Sequence, residues 1–276
     1  MPKRKPPHKP GSRRRAGPKS PRARQGRGRQ SSNIRGRQSS NIMWLYGLHA
    51  VAAAINNPAR RKFRLLTTGE GKFQLDEDGQ EITETLARRV LEELLPPGAV
   101  HQGVALEVLA LEAVDLGAIT NGAADDAMIV LLDQASDPRN IGAVMRSAAA
   151  FGAAALLLPD RHAPEVTGVL AKAASGALER LPLVRITNVA SALRDLKDAG
   201  FWCIGLDVDA DTSLAAAAIP GRVALVIGSE GRGLRRLTAE KCDALAAIPM
   251  RAEAGSLNLA AAAAIALYEL RREITP

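Results

Sequence analysis

The sequence predicts an α/β protein in which a small mixed domain precedes a larger domain built on a mostly parallel sheet. Three observations carry that prediction. From Met128 onward, short runs of Val, Ile, Leu and Ala alternate with helical stretches, the pattern of a parallel sheet covered on both faces. Three of those runs end in polar or glycine-rich loops that lead into helix starts, and in an open α/β sheet such junctions gather at the carboxyl edge, where ligands bind. A stretch of small residues over 112–127 separates this region from an earlier set of elements with its own breakers.

Residues 1–42 read as a tail. They hold 14 of the 37 Lys and Arg residues and none of the 29 Asp and Glu residues, which leaves 23 basic against 29 acidic side chains beyond them, a balance of −6 beneath a formal net charge of +8. Their Pro, Gly, Ser and Arg content offers too little apolar surface to offset the entropy of ordering, so a disordered basic tail is expected. Within it the segment from Arg27 to Ile34 repeats residue for residue from Arg35 to Ile42; two such polar copies are too few for a solenoid. A tail of this sign suits nucleic-acid phosphates.

Residues 43–111 form the small domain. Leu48 to Ile55 reads as a helix ended by Asn56-Asn57-Pro58, Lys62 to Thr68 as a strand, Ile82 to Leu95 as a second helix stopped by Pro96-Pro97, and Val104 to Leu111 as a closing strand. Residues 112–127, with Gly117, Asn121 and Gly122, are expected to be a linker. In residues 128–276, strands are expected at Met128–Asp133, Ala154–Leu158, Leu183–Ile186, Trp202–Val208, Val223–Ile227 and Ala246–Ile248. Helices fill most of the gaps, and the last runs from about Leu257 to Arg272.

Several function classes are excluded at this level. No apolar run resembles a transmembrane span, because the Ala-rich helix after Asn258 carries Tyr268, Glu269 and Arg271. The N-terminus has charge without an apolar core segment, so it is no secretory signal, and a cytoplasmic protein is expected. Cys203 and Cys242 lack metal-type spacing and are expected as buried reduced thiols. His8, His49, His101 and His162 are scattered, and no metal is expected.

The candidate site lies in three junctions. The first is Asp137-Pro138-Arg139-Asn140-Ile141-Gly142, after the first strand of the large domain, where Asp137 and Asn140 can cap a helix and Pro138 cannot donate to a ladder. Arg146 lies within two turns on the same helix, where a guanidinium can reach toward an anion or hydroxyl. The second is Gly228-Ser229-Glu230-Gly231-Arg232-Gly233, whose spacing is neither G-x-G-x-x-G nor a phosphate loop, so a nicotinamide enzyme is a weak alternative. Glu230 is expected to be buried among these glycines, an odd choice for a simple turn. The third joins Ile248-Pro249-Met250 to Ser256-Leu257-Asn258; Ser and Asn favour helix caps, and a helix start exposes free N–H groups.

These three motifs, in this order and at these separations, resemble the SpoU/TrmH family of RNA ribose 2′-O-methyltransferases within the SPOUT superfamily. Tyr46-Gly47-Leu48-His49-Ala50-Val51 and Gly98-Ala99-Val100-His101-Gln102-Gly103-Val104-Ala105 resemble the beginning and end of that family's small substrate-binding domain, in the branch typified by the 23S rRNA guanosine-2′-O-methyltransferases. The resemblance runs from about Trp44 to Arg272. It implies an L30e-like substrate-binding domain, a deep C-terminal trefoil knot, S-adenosylmethionine as cofactor, rRNA as substrate with tRNA as the alternative, and a homodimer. It also implies that Gly228 and the backbone at Ile248 and Leu257 hold the cofactor, that Asn140, Glu230, Ser256 and Asn258 order the catalytic pocket, and that Arg146 accepts the hydroxyl proton. Because a guanidinium is almost always charged, Arg146 is equally suited to hold an RNA phosphate or stabilise alkoxide charge, with Glu230 as its carboxylate partner. The segment from Arg251 to Gly255 and Ala260 depart from the family pattern, where a Gly soon after Pro-Met and a Ser are common. A non-catalytic RNA-binding assembly factor is the rival from another class.

Overall fold

A computed structural model describes residues 1, 41–69, 82–161, 163–217, 221–251, 253 and 255–272. The expected tail, apart from Met1 and its last two residues, lies outside the described residues, as do almost all of its tandem repeat and His162. From Ser40 onward the chain forms one compact unit containing two sheets.

The first sheet has the order β1-β4-β2-β3. β1 (Ile42–Tyr46), starting on the last residue assigned to the tail, pairs antiparallel with β4 (Val104–Leu109), which pairs antiparallel with β2 (Lys62–Thr67). The helix α1 (Leu48–Ile55) follows β1 through Gly47, whose φ of 88° is a backbone conformation that glycine adopts without a Cβ clash. The helix expected over Ile82–Leu95 is corrected: its first part is β3 (Thr83–Thr85), parallel to β2, and only Arg88–Leu94 is helical (α2). Thr83 and Thr85 lie opposite Leu65 and Thr67, and β-branched residues at a sheet edge win over the helical pattern.

The expected linker contains a helix, α3 (Leu116–Asn121), capped by Asp115, whose carboxylate accepts from the Gly117 N–H at 2.8 Å. Leu116 and Ile119 pack on the far face of the second sheet, which is why this stretch is not simply a spacer.

That second sheet is wholly parallel, in the order β10-β8-β9-β5-β6-β7. Its strands are β5 (Met128–Leu132), β6 (Ala155–Pro159), β7 (Leu183–Ile186), β8 (Trp202–Leu206), β9 (Val223–Ile227) and β10 (Ala244–Ala246). The period of two explains the layering: Met128, Val130 and Leu132 of β5 face one core, and Ile129 and Leu131 face the other. The first core holds α4 (Pro138–Ala150), α5 (Gly168–Ala174) and α8 (Leu259–Arg271); the second holds α6 (Val189–Asp198), and the short α7 (Arg236–Ala239) follows β9. In α4 the buried residues Ile141, Val144, Met145 and Ala148 recur at helical spacing, and a Cβ on Gly142 would meet the Leu170 carbonyl, so glycine lets α4 and α5 touch.

Two strand ends are corrected. β8 stops at Leu206 because Asp207 turns the chain, its carboxylate accepting from Asp209 N–H at 3.0 Å. The strand expected at Ala246–Ile248 lies earlier, at Ala244–Ala246, because its parallel partners in β8 are Ile204 to Leu206. Ile248 therefore stands beyond the sheet edge, in a loop.

The two sheets share a core, with Leu45, Val51, Leu65 and Leu106 in the same cluster as Met128, Leu156 and Leu170. A buried ion pair reinforces the junction. Arg60 and Glu179, with side chains 1% and 3% exposed, meet through Nη2 to Oε1 at 2.6 Å and Nε to Oε2 at 3.0 Å. Asn57 also donates to Glu179 Oε2 at 2.8 Å, and Arg60 Nη1 donates to the Leu109 carbonyl at 2.8 Å. Among the described residues, no helix is long and apolar enough to cross a membrane.

Candidate functional site: a glycine-lined cleft at the carboxyl edge

β5 and β9 are neighbours in the sheet, so the loops that leave them open side by side. The β9 loop is held tightly at both ends. Ser229 and Gly233 exchange backbone hydrogen bonds at 3.0 Å, and Gly231 and Gly233 adopt φ of 75° and 64°. A Cβ on Gly228 would overlap the backbone of Gly233 and Leu234, so this glycine is required first by the loop itself. Beyond the loop, the fully buried Asp133 at the end of β5 fixes Arg235 and Thr238. Its carboxylate lies 2.6 Å from Arg235 Nη2 and accepts from Thr238 Oγ1 at 2.7 Å.

The three predicted junctions converge on one carboxylate. Glu230 Oε1 accepts from Asn140 Nδ2 at 2.8 Å, from Asn258 Nδ2 at 2.7 Å and from the backbone N–H of Leu259 at 3.0 Å. Asn258 Nδ2 also approaches Asn140 Oδ1 at 3.2 Å. Glu230 is exposed, not buried as expected: its oxygen is matched by side-chain and helix-start donors at the mouth of a cleft. Glu230 Oε2 has no hydrogen-bond partner among the described residues.

The caps are resolved as well. Asp137 caps α4, accepting from Arg139 N–H at 2.8 Å, which releases Asn140, one turn in, to reach Glu230. Asn258 caps α8 with Oδ1, accepting from Ala260 N–H at 2.9 Å, while its Nδ2 holds Glu230. One side chain thus serves both the helix and the site.

Beside this cluster lies a cavity of about 550 Å³ lined by Gly228, Glu230, Arg232, Ile248, Ser256 and Leu257, among others. Four of the lining residues, Leu206, Asp207, Val208 and Asp209, were missed by sequence reasoning. The signal was available: they end β8, which lies next to β9 in the sheet, at the same carboxyl edge. Val208 is 58% exposed, an apolar side chain left open on the cavity wall.

Arg146 is not brought to this cluster. It is exposed, its side chain makes no hydrogen bond or ion pair among the described residues, and it lines a different hollow with Ser175 and Arg180. The expected fork between Arg146 and Glu230 is corrected on geometric grounds: residues six apart on a helix of 3.6 residues per turn point about 120° apart. Asn140 takes the face toward Glu230, and Arg146 takes another.

The cysteines are free; Cys203 is buried, whereas Cys242, expected to be buried as well, is only half-buried, and desolvation pushes both thiols up to about 12. Among the described residues no three His, Cys, Asp or Glu side chains gather as a metal-binding group.

The model of the SpoU rRNA Methylase family matches residues 127–268. The chain is 39% identical over 241 residues to the 23S rRNA (guanosine-2′-O-)-methyltransferase RlmB of Xylella fastidiosa strain 9a5c, covering 84% of this chain and 97% of that protein. It is 36% identical over 237 residues to the RlmB of Coxiella burnetii, covering 83% of this chain and 95% of the relative. Among solved structures, the SpoU methyltransferase AviRb from Streptomyces viridochromogenes in complex with the cofactor AdoMet superposes with a TM-score of 0.70 at 28% identity, over 88% of this chain and 94% of that one. A structure concerned with 2-OH methylation of C/U34 on tRNA covers 98% of its own length but only 55% of this chain.

Proposed function

The chain belongs to the SpoU rRNA methylase family, and from that membership we propose how its site works on an RNA ribose. It is a S-adenosylmethionine-dependent methyltransferase acting on the 2′-hydroxyl of a guanosine in 23S rRNA. The observation that carries the mechanism is the convergence of Asn140, Asn258 and the Leu259 N–H on Glu230 Oε1 at the lip of the cavity.

The cavity fits the cofactor. Its volume of about 550 Å³ lies within the range of about 300–1,000 Å³ usual for small-molecule sites, and its walls combine glycines and apolar side chains such as Val208, Ile248 and Leu257 with the carboxylates of Asp207, Asp209 and Glu230. Gly228, Ile248 and Leu257 would hold it, and Ser256 would order the loop between them. When bound, S-adenosylmethionine supplies an electrophilic methyl carried on a sulfonium.

The remaining task belongs to the protein. A 2′-hydroxyl is a weak nucleophile until its proton leaves, and a guanidinium has no lone pair to receive it. Three donors hold one oxygen of Glu230, which leaves Oε2 as the acceptor for the hydroxyl proton. Asn140 and Asn258 keep that geometry. Arg146, in its separate hollow, contacts RNA instead of taking the proton. No step requires a metal.

The wider organisation follows the family. Residues 43–111 act as an L30e-like RNA-binding domain, 112–127 connect it, 128–276 carry the methyltransferase domain with its trefoil knot, and the basic stretch before them adds positive charge. A homodimer in the cytoplasm is the working form. The small domain favours rRNA over tRNA: the tRNA-directed structure aligns with little more than half of the chain, whereas the RlmB relatives align with most of it. Incubating the purified chain with S-adenosylmethionine and deproteinised 23S rRNA or bulk tRNA, then mapping ribose methylation, checks the reading. One methylated guanosine in 23S rRNA is expected; methylation of tRNA alone overturns the substrate, and no transfer to either overturns the activity.

A further inference from the structure

A second hollow, of about 390 Å³, opens between the C-terminal half of α4 and the turn after α5. Arg146, Ser175 and Arg180 line it together with Leu181 and three alanines, and no carboxylate does. We propose that this hollow is a phosphodiester-binding subsite for the RNA substrate, with Arg180 as a substrate-positioning residue.

The charge distribution carries the argument. Beyond residue 42 the chain is net acidic, and most of its arginines are committed: Arg60 to Glu179, Arg64 to Glu107, Arg222 to backbone carbonyls, Arg235 to Asp133. Arg146 and Arg180 are exposed, and their side chains make no hydrogen bond or ion pair among the described residues. The one carboxylate beside them in sequence, Glu179, is taken by Arg60 and Asn57. Two guanidiniums facing one hollow repel each other, and an anion between them turns that repulsion into attraction.

The chemistry selects phosphate. A guanidinium fork matches the oxygens of a phosphodiester, Ser175 adds a hydroxyl donor, and the alanines leave the space open. Arg146 stands roughly 9 Å along the α4 axis from Asn140, so a strand whose ribose sits at Glu230 has a backbone phosphate within reach of the hollow. This inference rests on the RNA methyltransferase reading and deepens it, since it assigns Arg180 a part in substrate binding.

The test uses the full chain with Arg180→Glu and, as a milder variant, Arg180→Gln, each checked for unchanged thermal unfolding. RNA affinity is read by fluorescence anisotropy across salt concentrations, using a 23S rRNA fragment and no turnover. The expected result is at least a tenfold weaker RNA affinity for Arg180→Glu, and for Arg180→Gln a salt slope smaller by about one counterion. KM for RNA rises in parallel, kcat returns at saturating RNA, and S-adenosylmethionine affinity stays the same. Inorganic phosphate competes with RNA in the wild type more strongly than in Arg180→Glu. A folded Arg180→Glu that binds RNA with wild-type affinity and salt slope overturns the subsite. Failure of the methyltransferase reading would appear instead in the wild-type transfer assay, which the anisotropy measurement does not use.

Discussion

Glu230 concentrates the chemistry of the site on two oxygens with different surroundings. One is held by three donors and the other has no hydrogen-bond partner among the described residues, the asymmetry on which the proposed role as strut and base rests. Replacing it by Gln keeps the shape but removes the acceptor. Glu230→Gln is expected to lower single-turnover methyl transfer by about 10²-fold or more, the range for losing a general base, while S-adenosylmethionine still binds. Arg146→Ala is expected to raise KM for RNA and to recover most of its rate at saturating RNA. If the two phenotypes are exchanged, the proton goes to Arg146 as the family proposal has it. The cysteines permit a second check at this scale. Their thiols are raised from 9.0 to about 12 by burial, so folding favours the protonated form. The associated stability is complete below about pH 9 and is lost as pH rises toward 12. Native protein should therefore resist thiol alkylation at pH 8, and rapid labelling of both thiols without unfolding would contradict the burial.

Among the elements, the loops decide what the strands only position. Bulky substitution of Gly228 cannot report on the cofactor, because a Cβ there already meets the loop's own backbone. Val208 is the better probe: it is open on the cavity wall and outside the glycine loop. Val208→Trp should fill the cavity and weaken S-adenosylmethionine binding at least tenfold by calorimetry with unchanged thermal unfolding; unaltered affinity would place the cofactor elsewhere. The strands and α4 were legible in sequence because β5, β6 and β9 are continuous apolar runs and Asp137-Pro138 marks a helix start. β3 was not, since three residues of Thr-Glu-Thr carry no period of their own and owe their conformation to β2. The set Asn140, Glu230 and Asn258 was legible through the three junctions, whereas Asp207 to Asp209 join the cavity only because their strand β8 lies beside β9 in the sheet. The separation of Arg146 from Glu230 was not legible, because proximity in sequence does not fix the face of a helix.

Across the whole molecule, the small sheet is joined to the methyltransferase sheet by a buried charge pair as well as by a shared apolar core. With Arg60 and Glu179 almost wholly inaccessible, removing either partner strands the other charge in the interior. Arg60→Ala is expected to cost about 3–5 kcal/mol in urea unfolding, whereas Arg60→Met with Glu179→Leu should come out near neutral, because apolar replacements of similar volume avoid the desolvation cost. The measurement also bears on function. If the small sheet presents RNA to Glu230, Arg60→Ala should raise KM for RNA more than it alters S-adenosylmethionine affinity, and the double substitution should restore both stability and KM. A double variant that is stable yet still impaired toward RNA would show that the pair acts on the substrate directly and does not simply fasten one sheet to the other.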